Sequence, residues 1–124
     1  MFNTQIATQI YAKICFEATN SQKKIIEKLS EYLSDDDYSR IFVLNGYAGT
    51  GKTTLISALV AVLKDLKIKP VLLAPTGRAA KVLARYSGEQ ALTIHKRIYR
   101  QRTNAEYESK FSLDFNREQG AVFI

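Results

Sequence analysis

The chain has 124 residues, 46% of them hydrophobic, and a formal net charge of +6, enough for one modest domain with a core of its own. No stretch approaches the roughly 20 apolar residues a membrane span needs, and the opening Met-Phe-Asn-Thr-Gln lacks the basic and apolar regions of a signal peptide. Cys15 is the only cysteine, which excludes an internal disulfide and fits a reducing, cytoplasmic setting.

Residues 4–17 set Ile6, Ile10 and Ile14 one turn apart and predict a helix. Ala7, Tyr11 and Cys15 stack at the same spacing, which makes Cys15 a packing residue. Thr19-Asn-Ser-Gln22 ends that helix and opens a second, with Ile25, Ile26, Leu29 and Leu33 on its apolar face. Ser34-Asp-Asp-Asp37 is a polar loop. The apolar run at 41–45 predicts a buried parallel strand, and Leu55, Ile56, Leu59, Val60, Leu63 and Leu66 predict a helix over 52–66. Lys67-Ile-Lys-Pro70 turns into a second strand, Val71–Ala74, followed by a helix over 77–86 that Ser87-Gly88 ends. Thr93–Tyr99 begins a further short helix. Within the polar stretch 101–119, Phe111, Leu113 and Phe115 alternate as in an edge hairpin, and Ala121–Ile124 reads as a third strand. The alternation of strands and helices argues a parallel α/β sheet.

Between the first strand and its helix lies GYAGTGKTT, which fits G-x-x-x-x-G-K-[ST] from Gly46 to Thr53 in the strand-to-helix setting the pattern requires. Glycine lets the backbone curl close to an anion. Successive N–H groups of Tyr47, Ala48, Gly49, Thr50 and Gly51, with the helix N-terminus, then face phosphate oxygens. Lys52 would reach the β- and γ-phosphates, the Thr53 hydroxyl would ligate Mg²⁺, and Thr54 follows in the same turn. The alternative is a glycine-rich turn before an ordinary helix.

The second strand ends in Ala74-Pro-Thr-Gly-Arg-Ala-Ala80. In parallel sheets ligands bind beyond the carboxyl ends of strands, which puts this segment on the same edge as the phosphate loop. Thr76 can cap the helix, and Arg78 in its first turn opposes the helix dipole. A cation there suits a bound phosphate chain; the other reading is a capped surface helix with an incidental arginine. The charge pattern favours a polyanion. Residues 77–102 hold Arg78, Lys81, Arg85, Lys96, Arg97, Arg100 and Arg102 against Glu89, and the remaining basic and acidic residues cancel.

GYAGTGKTT, LLAPTGRAAKVLARYSG and ALTIHKRIY, in that order and spacing over about residues 19–99, resemble the RecD-like and Dda-like branch of superfamily 1 DNA helicases. The resemblance implies an α/β fold of the P-loop NTPase (RecA-like) kind, a parallel sheet flanked by helices, here incomplete. It implies a helical region at 1–37, a phosphate-loop core at 40–124, ATP with Mg²⁺ as cofactors, and single-stranded DNA as partner. By the same likeness Thr76, Gly77 and Arg78 would hold the sugar–phosphate chain, and Thr93 and His95 would support or contact the strand. His95 is also readable as a packing residue. Gln22 looks like the family's adenine-reading glutamine, yet Thr19-x-x-Gln22 is equally a capping box, in which the amide serves only the helix.

In such helicases an Asp-Glu pair follows a neighbouring strand, the aspartate holding Mg²⁺ and the glutamate aligning water. Glu27, Asp65 and Asp114 are not so placed, and after Ala121–Ile124 no residue follows. The expectation is therefore the ATP-binding part of a helicase motor domain, truncated before its catalytic carboxylates, that binds nucleotide and DNA weakly without turnover. Competing readings are a small phosphate-loop kinase and a non-catalytic nucleotide- or DNA-binding module.

Overall fold

The computed structural model describes residues 2–46, 51–103 and 109–124, in two compact units, Met1–Leu66 and Lys67–Ile124. In the first unit α1 (Phe2–Lys13) packs against α2 (Asn20–Leu33) and α3 (Lys52–Asp65). The expected isoleucine stripe forms the contact: Ile6, Ile10 and Ile14 are buried, with Ile26 and Leu29 from α2 and Leu55, Leu59, Val62 and Leu63 from α3. Lys13 at the end of α1 meets Asp65 at the end of α3 at 3.0 Å, both side chains largely exposed, so Asp65 belongs to a surface ion pair.

Helix α1 stops four residues short of the expected end. The Ile14 N–H closes a last turn on the Tyr11 carbonyl, and the next residue leaves the helix. Cys15 is therefore exposed rather than packed: without helical backbone at position 15, the stack from Ala7 through Tyr11 has no third member.

The expected strand at 41–45 does not form a ladder. Its side chains alternate, Phe42 and Leu44 half-buried and Ile41 and Val43 outward, as in a strand. However, no described segment of this unit supplies partner N–H and C=O groups, and Ile41 and Val43 stand 85% and 75% exposed. The segment is held from α2 instead. The Tyr32 hydroxyl donates to the Arg40 carbonyl at 3.0 Å, the Tyr32 and Phe42 rings lie 5.5 Å apart, and the Arg40 guanidinium pairs with Asp35.

The second unit holds a parallel three-stranded sheet in the order β2 (Ala91–Thr93), β1 (Pro70–Ala74), β5 (Val122–Phe123). Its chain enters β1 through Lys67, at φ 59°. Helix α4 (Gly77–Ser87) packs on β1 and β2, burying Ala80, and ends on Gly88 in the left-handed region at φ 71°. Strand β2 is an element the periodicity missed, because three residues are too few to show a period. The short α5 (Ile94–Ile98) leads into a hairpin of β3 (Tyr99–Thr103) and β4 (Ser109–Leu113), paired antiparallel with Tyr99 opposite Leu113. The last strand is tied in by the Leu73 N–H donating to the Ile124 carbonyl at 2.8 Å and the Ile124 N–H to the Val71 carbonyl at 2.9 Å. Among the described residues no helix is long and apolar enough to cross a membrane.

Candidate nucleotide and nucleic-acid sites

In the first unit the phosphate-loop sequence ends as its chemistry requires. Gly51 caps α3 in the left-handed region at φ 81°, and Lys52 is the first helical residue. A left-handed residue before the first turn bends the chain so that helix N–H groups open toward the loop. The Lys52 ammonium folds back and donates to the Gly46 carbonyl at the other end of the motif. Thr53 and Thr54 are exposed on the first turn of α3. Tyr47, Ala48, Gly49 and Thr50 lie outside the described residues.

Gln22 stands beside this loop. Thr19 caps α2 with both halves of a capping box: its hydroxyl oxygen accepts from the Gln22 N–H at 3.2 Å, and its own N–H donates to Gln22 Oε1 at 2.9 Å. The same side chain faces the phosphate loop, for a Cβ built on Gly51 would fall 2.7 Å from Gln22 Nε2. Gln22, Gly46, Gly51 and Lys52 share a hollow of about 200 Å³, closed on the apolar side by Ile25 and Leu55. Capping box and place beside the loop thus coexist in one residue.

In the second unit the register sets Ala74 of β1 beside Thr93 of β2. The APT turn and the start of α5 therefore leave neighbouring strands at the same, carboxyl, edge of this sheet. Both threonines are helix caps, Thr76 Oγ1 accepting from the Ala79 N–H at 3.2 Å and Thr93 Oγ1 from the Lys96 N–H at 3.1 Å. Each hydroxyl keeps its own proton as a donor. Gly77 has a negative φ, and a Cβ there would meet nothing within 4 Å. The fold does not require glycine at this position, so bare backbone is left open at the edge. Arg78, Lys81 and Arg85 follow at helical spacing on the exposed side of α4. His95 is exposed, its ring 4.7 Å from that of Tyr99 and tilted by 41°.

One member of the basic segment has a structural partner. Arg97 meets Glu118 at 2.7 Å, and Glu118 also accepts from Lys69 at 2.6 Å. Asp114, weighed above as a carboxylate, is paired with Arg117 at 3.0 Å. Sequence reading missed the Glu118 bridge, because its partners lie far away along the chain. The nearness of Gln22 to Gly51 likewise carries no signal along the chain and is seen only in the structure.

The profile of the AAA domain family matches residues 17–122. The ATP-dependent RecD2 DNA helicase of Deinococcus radiodurans is 34% identical over 76 residues, which cover 61% of this chain and 11% of that protein. The ATP-dependent DNA helicase dda of Enterobacteria phage T4 is 45% identical over 53 residues, 42% of this chain and 12% of the relative. The chain thus spans about an eighth or less of the length of these relatives. No solved structure matches it. With the phosphate loop, the APTGRAA turn and the parallel sheet in the expected order, the chain belongs to the AAA domain family, and the relatives it is similar to are RecD2 and Dda.

Proposed function

We propose that this chain is the ATP-binding portion of an ATP-dependent DNA helicase that moves along single-stranded DNA. The observation that carries the reading is the convergence of Gly51, Lys52, Gly46 and Gln22 on one hollow. The Lys52 ammonium, resting on the Gly46 carbonyl, would exchange that neutral acceptor for anionic phosphate oxygens, adding the attraction of opposite charges to the hydrogen bond. The exposed Thr53 hydroxyl would serve as ligand to Mg²⁺, and the ion would offset triphosphate charge. Adenine would sit against Gln22. At the edge of the second unit's sheet, the Thr76 and Thr93 hydroxyls, the open backbone at Gly77 and the cation of Arg78 would hold a DNA backbone without reading its sequence.

Residues 1–124 by themselves would bind without appreciable turnover. Of the described carboxylates, Asp114 is committed to Arg117 and Glu118 to Lys69 and Arg97, while Glu27 and Asp65 lie on helices. Titration with fluorescent ATP tests the binding half: wild type should bind and Lys52→Ala should bind at least about tenfold more weakly, as expected for losing a charge-assisted contact. Equal affinities would overturn the assignment of the loop. Single-strand-stimulated ATP hydrolysis that Lys52→Ala abolishes would overturn the claim of no turnover.

A further inference from the structure

Arg97 is held differently from its neighbours in the basic segment. Arg78, Lys81, Arg85 and Lys96 stand exposed, whereas Arg97 donates to Glu118 Oε1 at 2.7 Å, the two side chains 29% and 18% exposed. Lys69 donates to the same oxygen at 2.6 Å. The pair does not follow from helix spacing, for 21 residues separate its members. Its place in the fold gives it meaning. Arg97 lies four residues after Thr93, the cap of α5, so the two share one side of the helix, about 6 Å apart along its axis. Side-chain stems on a helix lean toward its N-terminus, here toward the carboxyl edge of the sheet. Arg97 and Glu118 also line a hollow of about 440 Å³ with Ile98, Phe115 and Phe123, and both phenylalanines are exposed. The guanidinium therefore has room to leave the carboxylate without disturbing the buried core.

We propose that Arg97 is a further phosphate-binding residue of this edge, held in reserve by Glu118, whose carboxylate occupies the place on the guanidinium that a DNA phosphate would take. The inference rests on the DNA reading of the edge given above. A guanidinium presents a planar fork of donors that suits carboxylate and phosphate alike, and both bonds are charge-assisted. A phosphate resting on the Thr93 hydroxyl would lie one helical turn from Arg97. In the intact chain, taking that phosphate means giving up Glu118, so one such bond is exchanged for another. The incoming phosphate also meets the Glu118 charge. The net gain is near zero, so the strand is held by the exposed cations and Arg97 adds little. With the carboxylate removed, the same arginine becomes one more contact. Glu118 thus limits how tightly this edge grips, as a competitor built into the fold.

A double-mutant cycle tests this. Arg97→Gln, Glu118→Gln and the two together are titrated with a labelled single-stranded oligonucleotide at several salt concentrations, with thermal unfolding alongside. Glu118→Gln should bind roughly tenfold more tightly at low salt, the worth of one hydrogen bond to a charged group. Its plot of log K against log salt should steepen by about 0.7, although the variant melts lower. Arg97→Gln should change affinity little in the wild type and abolish the whole gain on the Glu118→Gln background. A purely structural bridge gives the opposite sign: Glu118→Gln would loosen α5 and bind equally or more weakly, and that result overturns the proposal. A gain from net charge alone would be additive, with Arg97→Gln costing the same on either background, and that result also overturns it. If Glu118→Gln does not fold, Glu118→Asp decides, since it keeps the net charge and shortens the reach to Arg97 by one methylene. Tighter binding by Glu118→Asp supports the proposal, and unchanged or weaker binding overturns it. Failure of wild type to bind the oligonucleotide in a salt-dependent way would instead remove the DNA reading of this edge, and this inference with it.

Discussion

Glu118 Oε1 accepts a hydrogen bond from Lys69 Nζ at 2.6 Å across 49 residues of sequence. Arg97 reaches the same oxygen at 2.7 Å. One carboxylate thus ties the entry to β1, the helix α5 and the loop before β5. The bonds, first from Lys69 and then from Arg97, hold the Glu118 carboxyl below its ordinary value near 4.5. A depressed folded value means that the bridge stabilises fully above the unfolded value and is lost as pH falls through the folded one. Glu118→Gln should therefore lower the melting temperature at neutral pH, and the gap to wild type should begin to narrow below the ordinary carboxylate value and close as pH falls through the depressed folded one, as protonation does to the wild type what the substitution does permanently. Melting curves at several pH values check this; a gap that persists unchanged in acid would refute it.

Gly77→Ala separates fold from binding. A Cβ there meets nothing within 4 Å and the backbone φ is not positive, so folding should be unaffected or gain about 0.4–1 kcal/mol from the stiffer unfolded chain. The added methyl would stand on the only bare backbone at the start of α4, where a phosphate chain is proposed to lie. Melting temperature should hold or rise while oligonucleotide affinity falls. Affinity equal to wild type would remove Gly77 from the interface.

The exposed cations make binding salt-dependent. With Arg97 committed to Glu118, Arg78, Lys81, Arg85 and Lys96 remain exposed in the described part of the basic segment. If all four meet phosphates, log K should fall against log salt with a slope near −3, at about −0.7 per contact on single strands. Arg85→Ala should reduce the slope by about 0.7. Fluorescence titration of a labelled oligonucleotide at several salt concentrations measures both, and a flat plot would mean that α4 is an ordinary solvated face.

Elements that carry their own period were legible in the sequence. Ile6, Ile10 and Ile14 announced α1, and Thr19 and Gly88 marked helix ends by cap chemistry that acts within four residues. The failures share a different cause. The strand at 41–45 has the right side-chain alternation, but a strand exists only through a partner's N–H and C=O groups, which no local pattern encodes. Strand β2 is too short for a period and exists because β1 pairs with it through Leu72, Leu73 and Ala74. At the site, the motif named the phosphate-loop residues directly. That Gln22 serves the cap and faces the loop at once needed three dimensions, since each reading taken along the chain looked like a rival of the other.

Gly51 is the position where the two demands meet. Its φ of 81° lies in the left-handed region, and any Cβ added there would fall 2.7 Å from Gln22 Nε2. Gly51→Ala thus faces two penalties. The backbone conformation costs an L-residue roughly 1–2 kcal/mol, and the Gln22 amide must swing aside, breaking the 2.9 Å bond from the Thr19 N–H. The loss should be visible twice, as a melting temperature reduced more than by Gly77→Ala and as weakened ATP binding. A double-mutant cycle with Gln22→Ala isolates the second penalty. Removing the amide removes the clash, so the stability loss of Gly51→Ala should be smaller on the Gln22→Ala background than on the wild type, because contacting residues are not additive. Strictly additive losses would show that the amide does not press on Gly51.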